Sequence, residues 1–151
     1  MSKNLVSQIE IDATAEEVWD VLTDFAAYPT WNPFIVSAVG VAEVGSRVTL
    51  RMQPVDSRAV TLKPTVLEAT PGHRLRWRGR LGITGILDAE HVFTVTPRHG
   101  GGVTLRQTET FTGLLGPFMA GSLDRHTLPA FVTMNDALKA RAEQAMASRR
   151  G

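Results

Sequence analysis

Three polar residues, His91, Gln107 and Glu109, occupy positions where the surrounding pattern predicts buried side chains. Successive side chains of a strand point to opposite faces, so residues of one parity share a face. If the apolar members of that parity mark the interior, then all three polar side chains lie inside as well. The apolar residues that share their parity are Leu87, Ala89, Phe93 and Val95 on one strand and Val103, Leu105 and Phe111 on the next.

A buried imidazole, amide or carboxyl group needs a partner, because an unpaired polar group in an apolar interior costs free energy. Two interpretations are open. In the first, the three residues form a polar patch that orients a hydrophobic ligand in a cavity. In the second, they satisfy one another, with His91 bonded to Glu109 and Gln107 closing the network. If the protein is an enzyme, His91 and Glu109 are the candidates for proton transfer, which requires an acid or base close to the reacting atom.

The remaining candidate ligand contacts are large residues predicted to face inward, each of which could equally be ordinary core. Three of them are methionines, which fill irregular space and adapt to ligands of different shape. The predicted ligand-binding set is Trp31, Phe34, Leu50, Met52, Trp77, His91, Phe93, Gln107, Glu109, Phe118, Met119, Phe131 and Met134.

Composition excludes or disfavours several kinds of site. The chain has no cysteine, which excludes disulfides, thiolate metal sites and cysteine nucleophiles. Its four histidines show no metal-ligand spacing, and no phosphate-binding or dinucleotide-binding glycine motif follows a strand. We therefore expect no metal and no cofactor. The stretch 122–126 contains a serine, an aspartate and a histidine, but closeness along the chain does not align a catalytic triad.

The elements that position these residues are mostly short strands joined by short connections, which favours an antiparallel meander. Hairpin loops are predicted at Gly82 to Gly85 and at Gly100 to Gly102. The strands are predicted near residues 5–12, 34–42, 47–54, 59–69, 73–81, 86–97 and 102–112.

Four arginines alternate along one of these strands, which places them on a single face. They could form an anion-binding strip, but a solvated outer face is the simpler interpretation, because four arginines cannot share a core. Asp88 and Glu90 have the parity that allows pairing across the neighbouring strand. The four are Arg74, Arg76, Arg78 and Arg80.

Two short helices are expected after the first strand. Thr14 and Glu17 have the spacing of a capping box, which begins a helix that must end before Pro29. The proline-bracketed segment 28–33 then turns the chain.

A long helix is predicted near the C-terminus. Phe131, Met134, Leu138 and Ala142 recur at helical spacing and form one apolar stripe. Pro129 lacks an amide donor, so residues 117–128 are expected to form a separate leading segment. Any gate to a cavity should lie on that N-terminal side of Pro129.

The order of these elements resembles the START-like superfamily, in particular its bacterial polyketide cyclase/dehydrase and lipid-transport group. The resemblance is carried by residues 11–19, 28–33, 109–113 and 131–143. It implies an α+β helix-grip fold, in which a curved antiparallel sheet of about seven strands wraps around the long C-terminal helix. Residues 1–147 would form one ligand-binding domain, and residues 148–151 a frayed tail.

Members of this superfamily bind lipids, sterols, polyketides or plant hormones, and some catalyse cyclisation or aromatisation. The resemblance therefore implies binding, transport or sequestration of a hydrophobic or amphipathic small molecule between sheet and helix. An aromatase/cyclase-type enzyme is one alternative. A protein-interaction or co-chaperone module, in which the outer arginines would matter, is another.

Bulk properties complete these expectations. The net charge of +1 with dispersed basic residues argues against nucleic-acid binding. The sequence contains no run of about 18 apolar residues, so no membrane span is expected. Its first residues do not resemble a signal peptide, and a cytoplasmic location is therefore expected. The protein is expected to be a monomer or a homodimer.

Overall fold

A computed structural model describes residues 2–80 and 86–150, and it shows an α+β fold with a long C-terminal helix packed against antiparallel strands. The predicted hairpin loop at Gly82 to Gly85, and Leu81 before it, lie outside the described residues. The strands are β1 (Ser2–Ile11), β2 (Ile35–Val39), β3 (Thr49–Met52), β4 (Val60–Leu62), β5 (Thr65–Thr70), β6 (Arg74–Arg80), β7 (Asp88–Pro97) and β8 (Val103–Thr112).

The described strands form two antiparallel sheets, and the prediction of about seven strands in one sheet is wrong. The larger sheet has five strands in the order β1-β8-β7-β6-β5, and the smaller has three in the order β2-β3-β4. The predicted strand 59–69 is divided into β4 and β5 around Pro64. Proline has no amide donor and therefore interrupts a strand ladder. A bridge between Arg47 and Thr65 links the two sheets.

Two helices and a 3-10 turn follow β1, as the sequence predicted in outline. Helix α1 (Ala15–Thr23) is capped by Thr14, whose hydroxyl accepts from the Glu17 amide at 3.1 Å. A 3-10 turn (Phe25–Ala27) leads into α2 (Tyr28–Trp31). Pro29 stands in the first turn of α2, where its missing amide donor leaves no hydrogen bond unmade. Pro29 thus helps to begin the second of the two short helices that the sequence analysis expected.

The C-terminal third is helical from Gly116 onward. Helix α3 (Gly116–Ser122) continues through a π-helical turn (Leu123–Thr127) into α4 (Leu128–Arg150). The predicted division at Pro129 therefore appears as a π-helical turn followed by the start of α4. Residues 148–150, expected as a tail, continue α4, and Arg149 lies 3.0 Å from the Glu17 carboxylate.

The predicted apolar stripe of α4 is confirmed as the face that meets the core. Phe131, Met134, Leu138 and Ala142 are all fully buried, and α4 packs against β1 and α1. The parity assignments for the larger sheet are also confirmed, since inward positions alternate with outward ones along β6, β7 and β8. The interior between sheet and helix is consequently where His91, Gln107 and Glu109 meet.

Candidate functional site

A mostly apolar cavity of about 140 Å³ lies between β4, β8 and the segment from Met119 to Thr127. The segment contributes one helical face, because Met119, Leu123 and His126 are spaced by four and three residues. Polar groups reach the cavity from Glu109 on β8 and from Ser122, His126 and Thr127 on the helical segment. The rest of the lining comes from Phe34, Met52, Pro54, Ser57, Val60, Leu62 and Phe111.

Only part of the predicted ligand-binding set lines this cavity. Phe34, Met52, Glu109 and Met119 do so. Most of the others are buried in the core behind it, where neighbouring side chains surround them. Among these, Phe131 packs against Phe34 with ring centroids 5.4 Å apart, and Trp77 packs against Phe93 at the same separation. The predicted residues that form core or network rather than cavity wall are Leu50, Trp77, His91, Phe93, Gln107, Phe131 and Met134.

Phe118 does not face inward as predicted, and Trp31 is half-buried but does not line the cavity. The Phe118 side chain is 85% exposed. Adjacent helical residues diverge by about 100°, so a helix that turns Met119 toward the cavity turns Phe118 to solvent. Trp31 is half-buried at the edge of the core, where its ring meets that of Tyr28 with centroids 5.2 Å apart. Trp31 instead borders a surface depression beside Glu17 and Arg141.

A buried hydrogen-bonded network joins the cavity wall to the C-terminal helix. His91 Nδ1 lies 3.1 Å from Glu109 Oε2, and His91 Nε2 lies 2.9 Å from Gln107 Oε1. Gln107 Nε2 donates to Asn135 Oδ1 at 2.6 Å, and Asn135 Nδ2 donates to Ser7 Oγ at 2.9 Å. The interpretation in which these polar residues satisfy one another is therefore confirmed. Asn135, which the sequence analysis did not single out, extends the network to α4.

The hydrogen-bond donors and acceptors around Gln107 determine how its side-chain amide is oriented. Gln107 Nε2 also approaches the Phe131 carbonyl at 3.4 Å, and a carbonyl can only accept. The amide oxygen of Gln107 therefore faces His91 Nε2, which must carry a proton. The hydrogen bond between His91 Nδ1 and Glu109 Oε2 requires a proton on one of the two atoms. The Glu109 carboxyl group is therefore held in place by the His91 ring at the cavity wall.

The two residues proposed for proton transfer have different access to the cavity. Glu109 is 4% exposed and lines it, whereas His91 is fully buried behind Glu109. A ligand in the cavity can touch the Glu109 carboxyl group but not the His91 ring. His91 is therefore a positioning residue for Glu109.

His126 is a second acid–base group at the same cavity, and the sequence analysis missed it. Its Nδ1 lies 2.7 Å from the Val55 carbonyl, which can only accept, so Nδ1 carries the proton. Nε2 is then the ring nitrogen that can bind or release a proton. The His126 carbonyl in turn accepts from the Val55 amide at 2.8 Å, so the π-helical turn is tied to the loop after β3.

The sequence contained a signal for these missed residues. Met119, Ser122, Leu123 and His126 recur at helical spacing, which marks one face of the leading segment. The stretch 122–126 does not form a catalytic triad in the structure. Asp124 points away and lies 2.9 Å from Lys3 Nζ. Among the described residues, no group of three or more His, Asp or Glu side chains could hold a metal ion.

The four arginines of β6 lie on the outer face, as predicted. Arg76 and Arg78 lie 2.8 Å and 3.0 Å from the two oxygens of Glu90. The hydrogen bond from Arg76 is the main reason that the pKa of Glu90 falls below its ordinary value. Glu68 supplies the second carboxylate, near Arg74 and Arg76. Among the described residues Asp88 makes no ion pair, so only the Glu90 part of the predicted pairing holds.

Comparisons with known proteins agree with this architecture. Residues 3–143 match the family described as polyketide cyclase/dehydrase and lipid transport. None of the curated proteins matches the chain. Within the described residues, no helix is both long and apolar enough to cross a membrane.

Three solved structures illustrate the structural similarity. An aromatase/cyclase from a Streptomyces species superposes with a TM-score of 0.75 at 19% identity, covering 95% of each chain. A START superfamily protein from Mycobacterium smegmatis gives 0.71 at 21%, covering 94% of this chain and 98% of that one. Norcoclaurine synthase from Thalictrum flavum, in complex with dopamine and hydroxybenzaldehyde, gives 0.71 at 14%, covering 95% and 88%. At these identities the similarity shows the fold alone.

Proposed function

This chain belongs to the polyketide cyclase/dehydrase and lipid transport family, and on that premise we propose that it binds a small, largely apolar molecule between its sheet and its C-terminal helical segment. The observation that carries the proposal is the apolar cavity bordered by two acid–base groups, Glu109 and His126. Sites of this kind bind through apolar walls and orient the ligand through a few polar contacts.

The size of the cavity limits what it can hold. A volume of about 140 Å³ is close to that of engineered apolar cavities that accept benzene. Sites for larger ligands usually measure about 300–1,000 Å³. A lipid or polyketide therefore requires the wall to open, and the short segment from Gly116 to Thr127 is the part of the wall that can move without disturbing the buried stripe of α4.

A variant that fills the cavity tests the proposal. Ser122 is exposed at the cavity rim, so Ser122→Phe adds a ring there while leaving the core intact. Val132→Phe is the matched control, because Val132 is 48% exposed on α4 and does not line the cavity. Phenylbutanol binding, measured by thermal shift and native mass spectrometry, should be lost in the first variant and kept in the second. Equal binding by both variants would place the ligand elsewhere.

An aromatase/cyclase-type activity is the second candidate, and the Glu109–His91 pair favours it. Enolisation next to a carbonyl needs a group that accepts a proton beside the reacting carbon, and Glu109 is oriented by His91 at the cavity wall. His126 Nε2 is the second group at the cavity that can transfer a proton to or from the ligand. Two of the similar structures are named as an aromatase/cyclase and a norcoclaurine synthase.

Measurements of turnover and of ligand binding distinguish the enzymatic function from the binding function. With a ring-sized polyketone that binds, Glu109→Gln should lower kcat by about 100-fold or more while the dissociation constant changes little. Exchange of the acidic α-protons of the bound polyketone, followed by NMR in D₂O, reports the same step without requiring product. If Glu109→Gln exchanges those protons at the wild-type rate, Glu109 is not the base and the binding function alone remains.

A further inference from the structure

Two hydrogen bonds join the helical wall of the cavity to the loop between β3 and β4. The Val55 amide donates to the His126 carbonyl at 2.8 Å, and His126 Nδ1 donates to the Val55 carbonyl at 2.7 Å. Because the two bonds run in opposite directions between the same two residues, each restrains the geometry of the other. We call this reciprocal pair the Val55–His126 clasp.

The loop side of the clasp is held by contacts within the loop and with the core. Gln53 Nε2 donates to the carbonyls of Pro54 and Ser57 at 3.0 Å and 2.7 Å. Asp56 has a φ of 53°, a left-handed conformation that aspartate adopts more readily than most residues. The Val55 side chain packs against the core. The loop therefore keeps its shape through contacts that do not involve the helical segment.

The helical side of the clasp is held more weakly. Within residues 116–127, all of which the structure describes, Leu123 is the one buried side chain. A further polar connection, from Lys3 Nζ to Asp124 Oδ2 at 2.9 Å, lies at the surface, where ion pairs contribute little stability and are screened by salt. Local opening is easiest where few buried contacts hold a segment. If the wall opens beside the loop, the helical segment moves and the clasp breaks.

His126 belongs both to the clasp and to the cavity wall. Its side chain lines the cavity, while Nδ1 of the same ring is bonded to Val55. The residue lies in the π-helical turn, and such turns are rare and occur frequently at functional sites. A ligand in the cavity therefore meets the residue that joins the wall to the loop.

We propose that the Val55–His126 clasp controls access to the cavity, so that a ring-sized ligand binds with the clasp closed and a longer ligand binds only when it is open. This inference rests on the proposed function, since it concerns the same cavity. With the clasp closed, the cavity measures about 140 Å³. The apparent affinity for a longer ligand is then reduced by the fraction of molecules in which the clasp is open.

Two variants of His126 separate the clasp from other effects of replacing the ring. In His126→Asn, the side-chain amide lies near the position of Nδ1 and still donates to the Val55 carbonyl. In His126→Gln, the amide lies near the position of Nε2, so the donor to Val55 is lost. Asp124→Asn is a further control, because it removes the surface ion pair with Lys3 and leaves the clasp intact.

Hydrogen exchange without ligand measures opening of the segment. In His126→Gln, loss of one hydrogen bond should raise the exchange rate of residues 116–127 about threefold to tenfold and leave that of residues 131–145 unchanged. His126→Asn and Asp124→Asn should exchange at close to the wild-type rate. A wild-type rate in His126→Gln, or an equal increase in His126→Asn, would overturn the proposal.

Two probes of different size test the link between the clasp and binding. Benzene fits apolar cavities of this volume, whereas the naphthalene and phenyl rings of N-phenyl-1-naphthylamine exceed it. In stopped-flow fluorescence, His126→Gln should bind N-phenyl-1-naphthylamine faster by the same factor as its exchange rate rises. Its affinity for benzene, measured by calorimetric titration, should not increase.

A reversible cross-link gives an independent test. The chain has no cysteine, so Val55→Cys with His126→Cys allows one disulfide, between residues whose main-chain atoms lie 2.8 Å apart. Mass spectrometry verifies the bond. The oxidised protein should bind benzene but not N-phenyl-1-naphthylamine, and dithiothreitol should restore binding of the larger probe. Equal binding of that probe before and after reduction would contradict the proposal.

The outcomes separate this inference from the proposed function. Binding of benzene and N-phenyl-1-naphthylamine that does not depend on the clasp overturns the inference and leaves the cavity proposal standing. Absence of binding by both probes in the wild type overturns both proposals.

Discussion

His91 and Glu109 face each other directly across β7 and β8, with His91 Nδ1 3.1 Å from Glu109 Oε2. The His91 ring also stacks on Phe93, with centroids 4.4 Å apart. The stacking fixes the plane of the ring, and the hydrogen bond to Glu109 fixes the direction of Nδ1 within that plane. The pair is therefore one buried unit in which His91 orients and Glu109 meets the cavity. The structure therefore gives different roles to two residues that the sequence analysis treated as equal candidates for proton transfer.

Replacing His91 with an apolar residue should destabilise the fold, even though many of the neighbouring side chains are apolar. In His91→Leu, Glu109 Oε2 and Gln107 Oε1 both lose a partner, and each unpaired buried acceptor costs about 1–3 kcal/mol. The free energy of unfolding, measured by urea denaturation, should fall by about 2–6 kcal/mol. His99→Leu, at an exposed loop position, should change it by less than about 0.5 kcal/mol. Equal stability of both variants would show that the network is not needed for folding.

Tyr28 should contribute to stability through its hydroxyl. The hydroxyl donates to the Leu22 carbonyl near the end of α1, and the side chain is fully buried. Burial, aided by the nearby charge of Asp24, raises the pKa of Tyr28 well above its ordinary value. Tyr28→Phe keeps the ring contacts with Phe25 and Trp31 but leaves that carbonyl without its donor. We expect a loss of about 1–2 kcal/mol by urea denaturation. An unchanged midpoint would mean that water replaces the hydroxyl.

Glu90 should give the protein part of its acid sensitivity. Its pKa lies below the ordinary value of 4.5, chiefly because of the hydrogen bond from Arg76. A carboxyl group whose pKa is lowered by folding stabilises the protein above its unfolded-state pKa, and that stability is lost as the pH falls through the folded-state pKa. The free energy of unfolding should therefore decline as the pH is lowered below about 4.5.

Two variants isolate that contribution. Glu90→Gln should be less stable than the wild type at neutral pH, by up to about 1 kcal/mol, and should lose less stability in acid. Glu16→Gln changes an exposed carboxyl in the first turn of α1 and should follow the wild-type pH profile. Parallel profiles for Glu90→Gln and the wild type would assign the acid sensitivity to other groups.

The segment before Pro129 should open more readily than the helix after it. Residues 116–127 combine a seven-residue helix with a π-helical turn and expose Phe118, whereas α4 buries its stripe in the core. Local opening is easiest where few buried contacts hold a segment. Hydrogen exchange measured by mass spectrometry should be faster in 116–127 than in 131–145, and phenylbutanol should slow it selectively. Comparable exchange in both regions would argue against a gate there.

Much of the fold followed from local patterns. The Thr14 cap, the alternation along β6 to β8 and the stripe from Phe131 to Ala142 are set by the period of each element, which neighbouring residues in the sequence display. The same alternation placed His91, Gln107 and Glu109 inside and therefore predicted that each would need a polar partner, whether a ligand or one another.

Other features were decided by tertiary structure. The division into two sheets depends on how the chain around Pro64 pairs with the residues before β3, which are distant in sequence. Which residues line the cavity depends on which face of the helical segment 116–127 turns inward. That face carries Met119 and His126, whereas Phe118 lies on the solvent side. Periodicity shows that a helix has an apolar or mixed face, but only packing against a partner determines what that face encloses. For that reason the burial of the three polar residues could be predicted from the sequence, whereas their choice of partners and the cavity beside them could not.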